Sequence, residues 1–494
     1  MPRIKLSPDG EKTVLRLLSE NGADISAPCG GHGLCGKCRV KITGSVSPVT
    51  DEERKKLTDE ELGQGVRLAC LTVPKGEIEV EYGETGGIEI VTSSTADISS
   101  DEPVDGAGFA VGVDIGTTTV AVYLVDLAGK KVAATSAFAN PQAKYGADVI
   151  SRMSYIRENE DGLKTLKDSI ISAVDSAVSG FGADIRYVCV AGNTVMQHIA
   201  AGLDPSGIAV APFTPVSLFG TRHGAAQIGL SSCGGAEVYF MPCAASYVGG
   251  DIISGLCASG VDVSDKTILY IDIGTNGEIA LAHGGRVTTA ACAAGPAFEG
   301  AGIECGCPGI PGAISDIKVS GGETKGYETI GGKPPIGICG SALISLTAQL
   351  LDEEIVEDTG FMEDNFTVAG DIYLSPQDVR QVQLAKAAIA AGIYTLLDCE
   401  KIGESDVDEV IIAGGFGSHI DIHSACRIGL IPSSLEGVTR AVGNAAGAGT
   451  ASWLLSGRFR ERTDLTGKTA GYVELSADKR FSEHYMEQMF FGEN

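Results

Sequence analysis

Basic residues are scarce in this sequence of 494 residues: 37 lysines and arginines stand against 64 aspartates and glutamates, so the formal net charge at pH 7 is −27. A chain this acidic is repelled by the phosphate backbone of nucleic acids and by anionic membrane surfaces. The composition therefore argues against nucleic-acid binding and membrane-surface binding. It leaves a basic or electropositive protein partner open.

Long apolar runs are lacking too. No uninterrupted apolar stretch approaches 18 residues, and the first residues carry no basic and then apolar secretion signal. We therefore expect a cytoplasmic protein without a membrane span. The content of 44% hydrophobic and 20% charged residues is typical of packed globular domains. In such a compartment the 14 cysteines are expected to be thiols or metal ligands rather than disulfides.

Three cysteines lie in one glycine-rich stretch. Cys29, Cys35 and Cys38 follow a C-x5-C-x2-C pattern, and Cys70 follows alone after Arg67-Leu68-Ala69. Two irons bridged by sulfide need four thiolates, and glycines let the backbone wrap closely around them. The spacing predicts a 2Fe-2S cluster bound by these four cysteines. A structural zinc site is the alternative, but zinc modules usually pair two C-x2-C knuckles, and the second knuckle is missing here.

The region around these cysteines is expected to form a domain of its own, residues 1–92, and its β-rich pattern suits a β-grasp ferredoxin. A charged helical insert at 51–62 is interpreted as a solvated face. The Ser-, Asp- and Gly-rich residues 93–107 predict a flexible linker to a larger domain, 108–494. Strands are predicted at Arg3–Leu6, Arg39–Ile42 and Glu77–Glu81, and a helix at Thr13–Leu18.

A strand–turn–strand unit occurs twice in the larger domain. The first copy turns at Asp114-Ile115-Gly116-Thr117-Thr118 and the second at Asp272-Ile273-Gly274-Thr275-Asn276-Gly277. Such a turn presents N–H groups and a hydroxyl that suit phosphate oxygens, and its aspartate can hold a metal-bound water. Either copy alone could be an ordinary hairpin. Two copies imply two related halves that face each other.

Three further stretches complete the pattern. An apolar strand at 409–413 ends in Gly414-Gly415-Phe416-Gly417, and a P-loop is absent. The order hairpin, hairpin, glycine turn is the one that clamps a nucleotide between two lobes. Gly192-Asn193-Thr194 follows an apolar strand and predicts a helix N-cap by Asn193. The small residues Gly443–Thr450 predict a helix that is approached closely by another backbone.

These motifs, in this order, resemble the actin, hexokinase and acetate kinase (ASKHA) superfamily over residues 108–494. The resemblance implies two lobes with duplicated phosphate loops, and a catalytic role for Asp114 or Asp272 in orienting the metal or the attacking water. It implies a first phosphate loop of Asp114, Gly116, Thr117 and Thr118, and a second of Asp272, Gly274, Thr275, Asn276 and Gly277. It also implies that Gly414, Gly415, Phe416 and Gly417 flank the adenosine. Asn193 would lie at the interdomain connection and contact the γ-phosphate, with the helix N-cap as the equally weighted alternative.

An N-terminal 2Fe-2S domain joined to such an ATPase is similar to the reductive activators of corrinoid proteins. Asn140-Pro141-Gln142, Tyr145–Arg152 and Gly337–Ser341 resemble the same family. The resemblance implies a multi-domain α/β protein, with an N-terminal β-grasp 2Fe-2S ferredoxin followed by a two-lobed actin/hexokinase-like ATPase domain. Its cofactors would be the 2Fe-2S cluster, ATP and Mg²⁺.

The function that this resemblance implies is ATP-dependent transfer of one electron to a corrinoid protein, which converts inactive Co(II) to active Co(I) in a methyltransferase system. The partners would be that corrinoid protein and an upstream electron donor. The ATPase family often dimerises, and the sequence leaves a homodimer open. Three alternatives stay open. They are an ATP-dependent electron donor to another low-potential enzyme, a small-molecule kinase with a fused redox domain, and a scaffold that binds nucleotide without turnover.

Overall fold

The computed structural model describes residues 2–10, 12–21, 23, 25, 33, 36, 38–82, 92, 94–96, 98–101, 106–415 and 419–492. Four of the predicted site residues lie outside the described residues: Cys29, Cys35, Phe416 and Gly417.

The described part of the N-terminal domain forms a four-stranded antiparallel sheet with the strand order β1-β4-β2-β3. Its core is built from alternate residues of the strands and from Val14 and Leu18 of the first helix. All three predicted strands and the predicted helix are present. The strands are β1 (Arg3–Leu6), β2 (Arg39–Val46), β3 (Val66–Leu68) and β4 (Pro74–Glu81), and the helices are α1 (Val14–Glu20), α2 (Asp51–Lys56) and α3 (Asp59–Gly63).

The charged insert forms α2 and α3, and it differs in one respect from a solvated face. Glu53 of α2 is fully buried and forms a bidentate ion pair with Arg67, with distances of 2.9 and 2.8 Å to Nε and Nη2. Glu53 also accepts a hydrogen bond from the backbone N–H of Leu68 (3.1 Å). The insert therefore fixes the strand that leads to Cys70. The sequence pattern misses this because the partners are distant in the chain.

The larger domain contains two sheets that share one design. Among the described residues, each sheet has six strands, with orders β7-β6-β5-β8-β10-β9 and β20-β19-β11-β12-β13-β21. In both, an antiparallel three-stranded meander is followed by two parallel strands. The central strand of each sheet, β5 in the first and β11 in the second, is buried on both faces. This burial explains the nearly continuous apolar sequences of the two strands. The predicted duplication thus extends over five strands of each sheet, whereas the sixth strand differs, since β9 pairs antiparallel with β10 and β21 pairs parallel with β13.

The first lobe contains the strands β5 (Phe109–Ile115), β6 (Thr119–Asp126), β7 (Lys131–Ala139), β8 (Ile185–Gly192), β9 (Thr221–Gly224) and β10 (Glu237–Phe240), and the helices α4 (Val149–Glu158), α5 (Gly162–Gly180), α6 (Thr194–Ala201), α7 (Ala225–Ile228) and α8 (Gly250–Ala258).

The second lobe and its small accessory sheets contain the strands β11 (Ile268–Ile273), β12 (Gly277–His283), β13 (Arg286–Cys292), β14 (Ala313–Ser320), β15 (Glu323–Thr329), β16 (Gly337–Ile338), β17 (Phe366–Ala369), β18 (Ile372–Leu374), β19 (Glu409–Ala413), β20 (Thr439–Gly443) and β21 (Gly471–Val473), and the helices α9 (Gly340–Asp352), α10 (Pro376–Glu400), α11 (Ile422–Arg427), α12 (Ala445–Leu455), α13 (Gly457–Thr469) and α14 (Lys479–Glu487).

Helices α8 and α12 cross between the two sheets. Their contact is made of small residues: a Cβ on Gly449 would overlap Ser254, and a Cβ on Gly255 would lie 3.3 Å from the Cβ of Ala445. Helix α12 also packs against β5 and β8 of the first lobe. The close approach predicted for Gly443–Thr450 is confirmed. These two helices connect the lobes at the base of the cleft between them.

The described part of the predicted flexible linker contacts the second lobe. Ser94 pairs with Gly443, the Thr95 N–H donates to the Val442 carbonyl (3.0 Å), and the Ser99 N–H donates to the Ser452 hydroxyl (3.2 Å). For residues 94–96 and 98–99, packing against β20 and α12 therefore replaces the freely moving tether that composition predicts.

One described helix, α10, is long and apolar enough to pass a length-and-composition test for a membrane span. Most of its apolar stretch is buried inside the protein, against the second sheet. It is the core helix of this lobe.

Candidate functional site

The two phosphate loops meet at a cavity of about 600 Å³ between the lobes. Eleven of the predicted nucleotide or catalytic residues line it: Asp114, Gly116, Thr117, Thr118, Asn193, Asp272, Gly274, Thr275, Asn276, Gly414 and Gly415. Gly277 does not belong to this lining. It starts β12 and packs so closely against Cys292 and Ile389 that a side chain would collide with them, so its role is packing behind the loop.

The first phosphate loop is held from behind by three side chains. The Asn140 amide donates to the Gly116 carbonyl (2.8 Å), the Arg152 guanidinium to the Thr117 carbonyl (2.6 Å), and the Asn193 amide to the Thr117 hydroxyl (3.0 Å). These bonds occupy two carbonyls of the loop and so fix its conformation. Arg152 is fully buried, and this burial lowers its pKa to about 10. Asn140 and Arg152 had been noted only as family-like residues, without a role.

Asn193 is the helix N-cap that the sequence predicts, and it also contacts the first phosphate loop, whereas its contact with the γ-phosphate stays a prediction. Its side-chain oxygen accepts a hydrogen bond from the Met196 N–H (2.9 Å), which caps α6. Its amide nitrogen meanwhile contacts Thr117 at the cavity. One side chain therefore ties the start of the helix to the first phosphate loop.

Sequence reasoning missed Glu299 at this site, as it missed Asp251 and Asn444. The Glu299 carboxylate accepts hydrogen bonds from the Thr118 hydroxyl of the first loop (3.0 Å) and from the Thr275 hydroxyl of the second (3.1 Å). Burial raises the pKa of Glu299, against the effect of these two hydroxyls. One signal in the sequence could have found it, because Glu299 is the only charged residue between Arg286 and Glu304.

Four more carboxylates line the cavity: Asp114, Asp251, Asp272 and Glu278. Burial raises the pKa of Asp114 to about 6, although a hydrogen bond from Asn444 (2.8 Å) opposes the rise. Burial and then the charge of Asp114 raise the pKa of Asp272 to about 7. Burial and neighbouring carboxylates also raise the pKa values of Asp251 and Glu278. A divalent cation would relieve this repulsion.

The donor set suits a hydrated cation. In the part of the chain that the structure describes, no three His, Cys, Asp or Glu side chains converge closely enough to enclose a metal ion directly. Mg²⁺ usually keeps several waters and takes only one or two carboxylates together with phosphate oxygens. The aspartates of the two loops fit that arrangement.

Gly414 needs to be glycine for two reasons. Its φ is +92°, a region that favours glycine, and a Cβ would lie 2.6 Å from Asp272 Oδ1. The turn after β19 thereby lies directly beside the second phosphate loop, and Gly414 and Gly415 form one wall of the cavity.

Two of the four predicted cluster ligands are described. Cys38 and Cys70 are buried, and their sulfur atoms lie 3.2 Å apart. This is well beyond the length of a disulfide, about 2.05 Å, and it fits two thiolates that face one centre. The Ala69 N–H donates to the Cys38 carbonyl (2.9 Å), which holds the two ligand segments together. These residues therefore fit an iron-sulfur site.

Family models match three successive parts of the chain. Residues 3–75 match a 2Fe-2S iron-sulfur cluster binding domain. Residues 109–264 match the RACo middle region, and residues 266–494 match the C-terminal domain of RACo, the ASKHA domain. The boundary between the last two models falls just before β11, where the second sheet begins.

Two relatives that match about three quarters of the chain agree with these family models. The chain is 34% identical over 423 residues to the corrinoid activation enzyme RamQ of Eubacterium limosum, covering 78% of this chain and 71% of that enzyme. It is 24% identical over 429 residues to a Co(II) methylated amine-specific corrinoid protein reductase of Methanosarcina barkeri. This match covers 78% of this chain and 77% of that reductase.

A solved structure of a reductive activator for a corrinoid, iron-sulfur protein is similar over the whole chain. It has 31% sequence identity and a TM-score of 0.71, and the match covers 97% of this chain and 95% of that one. Together with the cysteine pair in the N-terminal domain and the duplicated loops at the cleft, these matches show that the chain belongs to the family of reductive activators of corrinoid proteins, in which a 2Fe-2S domain is joined to an ASKHA domain.

Proposed function

We propose that this chain couples ATP binding and hydrolysis to the transfer of one electron to a corrinoid protein, converting its Co(II) to Co(I) in a methyltransferase system. The observation that carries the proposal is the combination of two sites in one chain. Paired buried thiols lie in the 2Fe-2S domain, and a cleft with two phosphate loops lies in the larger domain. The relatives named as a corrinoid activation enzyme and a corrinoid protein reductase support this choice of partner.

ATP is needed because the electron transfer is unfavourable. The Co(II)/Co(I) couple lies below the potential that a 2Fe-2S centre normally supplies, and each 59 mV of shortfall in a one-electron transfer costs about a factor of ten in the equilibrium. A nucleotide that binds one conformation better than another can shift such an equilibrium. The two lobes, joined through α8 and α12, supply two candidate conformations, open and closed around ATP.

The residues then take the following roles. Cys29, Cys35, Cys38 and Cys70 would hold the cluster, which supplies the single electron. The hydroxyls and backbone of the two loops would bind the phosphates, and the turn at Gly414 would lie against the adenosine. Asp114 and Asp272 would orient the waters of Mg²⁺ or the attacking water. With a pKa of about 7, Asp272 is also able to accept a proton at neutral pH.

The proposal places the protein in the cytoplasm with two partners, the corrinoid protein and an upstream electron donor. A homodimer, which the sequence leaves open, stays a prediction.

An anaerobic reduction assay tests the proposal. The chemically reduced protein is mixed with a Co(II) corrinoid protein, and the Co(I) absorbance is followed with and without Mg-ATP. Co(I) should form only with Mg-ATP, and not with an Asp272→Asn variant. Glu328, an exposed carboxylate on β15, gives the matched control Glu328→Gln, which should behave as the parent. Consumption of ATP without Co(I) from any corrinoid partner would refute the proposal and favour another low-potential acceptor.

A further inference from the structure

Glu299 joins the two lobes across the cleft. It ends a short helical turn, Ala297–Glu299, of the second lobe, and its two carboxylate oxygens have different partners. Oε2 accepts a hydrogen bond from the Thr118 hydroxyl of the first lobe, and Oε1 accepts one from the Thr275 hydroxyl of the second lobe. Thr118 lies one position further along its loop than Thr275, which corresponds to Thr117 in the duplicated pattern. One carboxylate therefore links the hydroxyls of both loops.

The backbone around Glu299 leaves it little freedom. Ala297 and Phe298 before it are buried in the core of the second lobe. Gly300 after it has a φ of +77°, and a side chain there would overlap the backbone of Cys307. The carboxylate is thus held from both sides on a packed turn, as a residue that sets the position of other groups needs to be.

The surrounding charges favour this arrangement. The buried guanidinium of Arg152 lies near enough to stabilise the Glu299 charge. Arg152 also donates a hydrogen bond to the carbonyl of Thr117. Thr117 directly precedes Thr118, whose hydroxyl donates to Glu299. The first loop is therefore held by a cation at its backbone and by an anion at its hydroxyl.

We propose that Glu299 is a positioning residue that holds the two phosphate loops in register, so that ATP phosphates are gripped between them for hydrolysis. The proposal rests on the ATPase function proposed above. Hydrolysis depends on groups placed accurately around the developing charge, and hydrogen bonds to charged groups are the stronger ones. Loss of this link should lower the rate of ATP hydrolysis more than it weakens ATP binding. The carboxylate offers ATP no attractive contact, and its removal takes a negative charge away from the phosphates.

Steady-state kinetics of Glu299→Gln test this split. Glutamine has nearly the size of glutamate, but only the oxygen of its side chain can accept a hydrogen bond. The variant can therefore accept a hydrogen bond from only one of the two threonines. We expect kcat for ATP to fall 10- to 100-fold, with a KM for Mg-ATP that is unchanged or lower. Glu328→Gln is the matched control and should change neither. A kcat within threefold of the parent, or a raised KM with normal kcat, would overturn the proposal.

A double-mutant cycle asks whether Glu299 acts through its threonines. If it does, adding Thr118→Val to Glu299→Ala, which can accept from neither threonine, should lower kcat by less than about twofold beyond Glu299→Ala alone. If the two substitutions instead lower kcat by independent factors that multiply in the double variant, the proposal is overturned.

Hydrogen exchange gives a readout that does not need turnover. In Glu299→Ala, amide exchange should rise in both loops, 114–119 and 272–277, and stay unchanged in β15. Unchanged exchange in either loop contradicts the positioning role even if ATP is hydrolysed. If the parental protein does not hydrolyse ATP while exchange rises in both loops, the proposed function fails and the link between the loops stands.

Discussion

Replacement of Arg67 by methionine should destabilise the iron-sulfur domain through the carboxylate that it leaves behind. Glu53 is fully buried, and Arg67 is the cation that pairs with it among the described residues, through two hydrogen bonds. Removal of one partner of a buried ion pair costs about 3–5 kcal/mol, because the other charge stays desolvated. That is a large part of the total stability of a small domain, about 5–15 kcal/mol.

The effect should depend on pH with a definite sign. In the parent, burial disfavours ionisation of Glu53, but the hydrogen bonds from Arg67 and from the N–H groups of Thr50 and Leu68 outweigh it and hold the pKa of Glu53 below its usual value. Glu53 therefore stabilises the fold above its unfolded pKa, and this contribution is lost as the pH falls through the folded pKa. In Arg67→Met the remaining burial should raise that pKa, so the variant should lose stability as the pH rises above about 4.

The assay is urea unfolding of the full-length protein under anaerobic conditions, followed by the visible absorbance of the cluster. Arg67→Met should lower the midpoint strongly at pH 7 and much less at pH 4.5. Glu53→Gln/Arg67→Met should recover much of the loss, because no charge is then buried. ATP hydrolysis, which uses another domain, is the internal control. A midpoint for Arg67→Met equal to that of the parent at pH 7 would refute the reasoning.

Three further predictions concern the larger domain. Asp272→Asn should abolish ATP hydrolysis and leave the absorption spectrum of the cluster unchanged. Because the pKa of Asp272 is raised to about 7, its contribution to the stability of the parent is lost as the pH rises from about 4 to 7. The variant should therefore melt at a higher temperature than the parent at pH 8 but not at pH 4. Gly449→Ala should destabilise the protein by about 1–3 kcal/mol in urea unfolding, because its Cβ would overlap Ser254, whereas Gly437→Ala, which meets no atom within 4 Å, should stay within about 0.5 kcal/mol of the parent. Arg152→Met should weaken Mg-ATP binding about tenfold in calorimetry, because the Thr117 carbonyl loses its charged donor; unchanged affinity would contradict the role assigned to Arg152.

The sequence by itself determined the features that depend on neighbours in the chain. The cysteine spacing predicted an iron-sulfur domain, and the family model for a 2Fe-2S domain over residues 3–75 confirms it. The two Asp-x-Gly-Thr turns predicted a duplicated, two-lobed domain, because a strand, a tight turn and a second strand form locally. The small residues of α12 predicted close packing, since only they permit it.

Only the tertiary structure decided which distant residues complete these sites. Glu299 lies 181 residues from Thr118, and Asn444 lies 330 residues from Asp114, yet each pair is hydrogen-bonded across the cleft. Glu53 lies within a charged insert whose pattern predicts solvent exposure, and it is buried because the fold brings Arg67 to it. A local pattern carries no record of such pairs. The packing of the two lobes around α8 and α12 brings the first two pairs together, and the folding of the small N-terminal sheet brings the third.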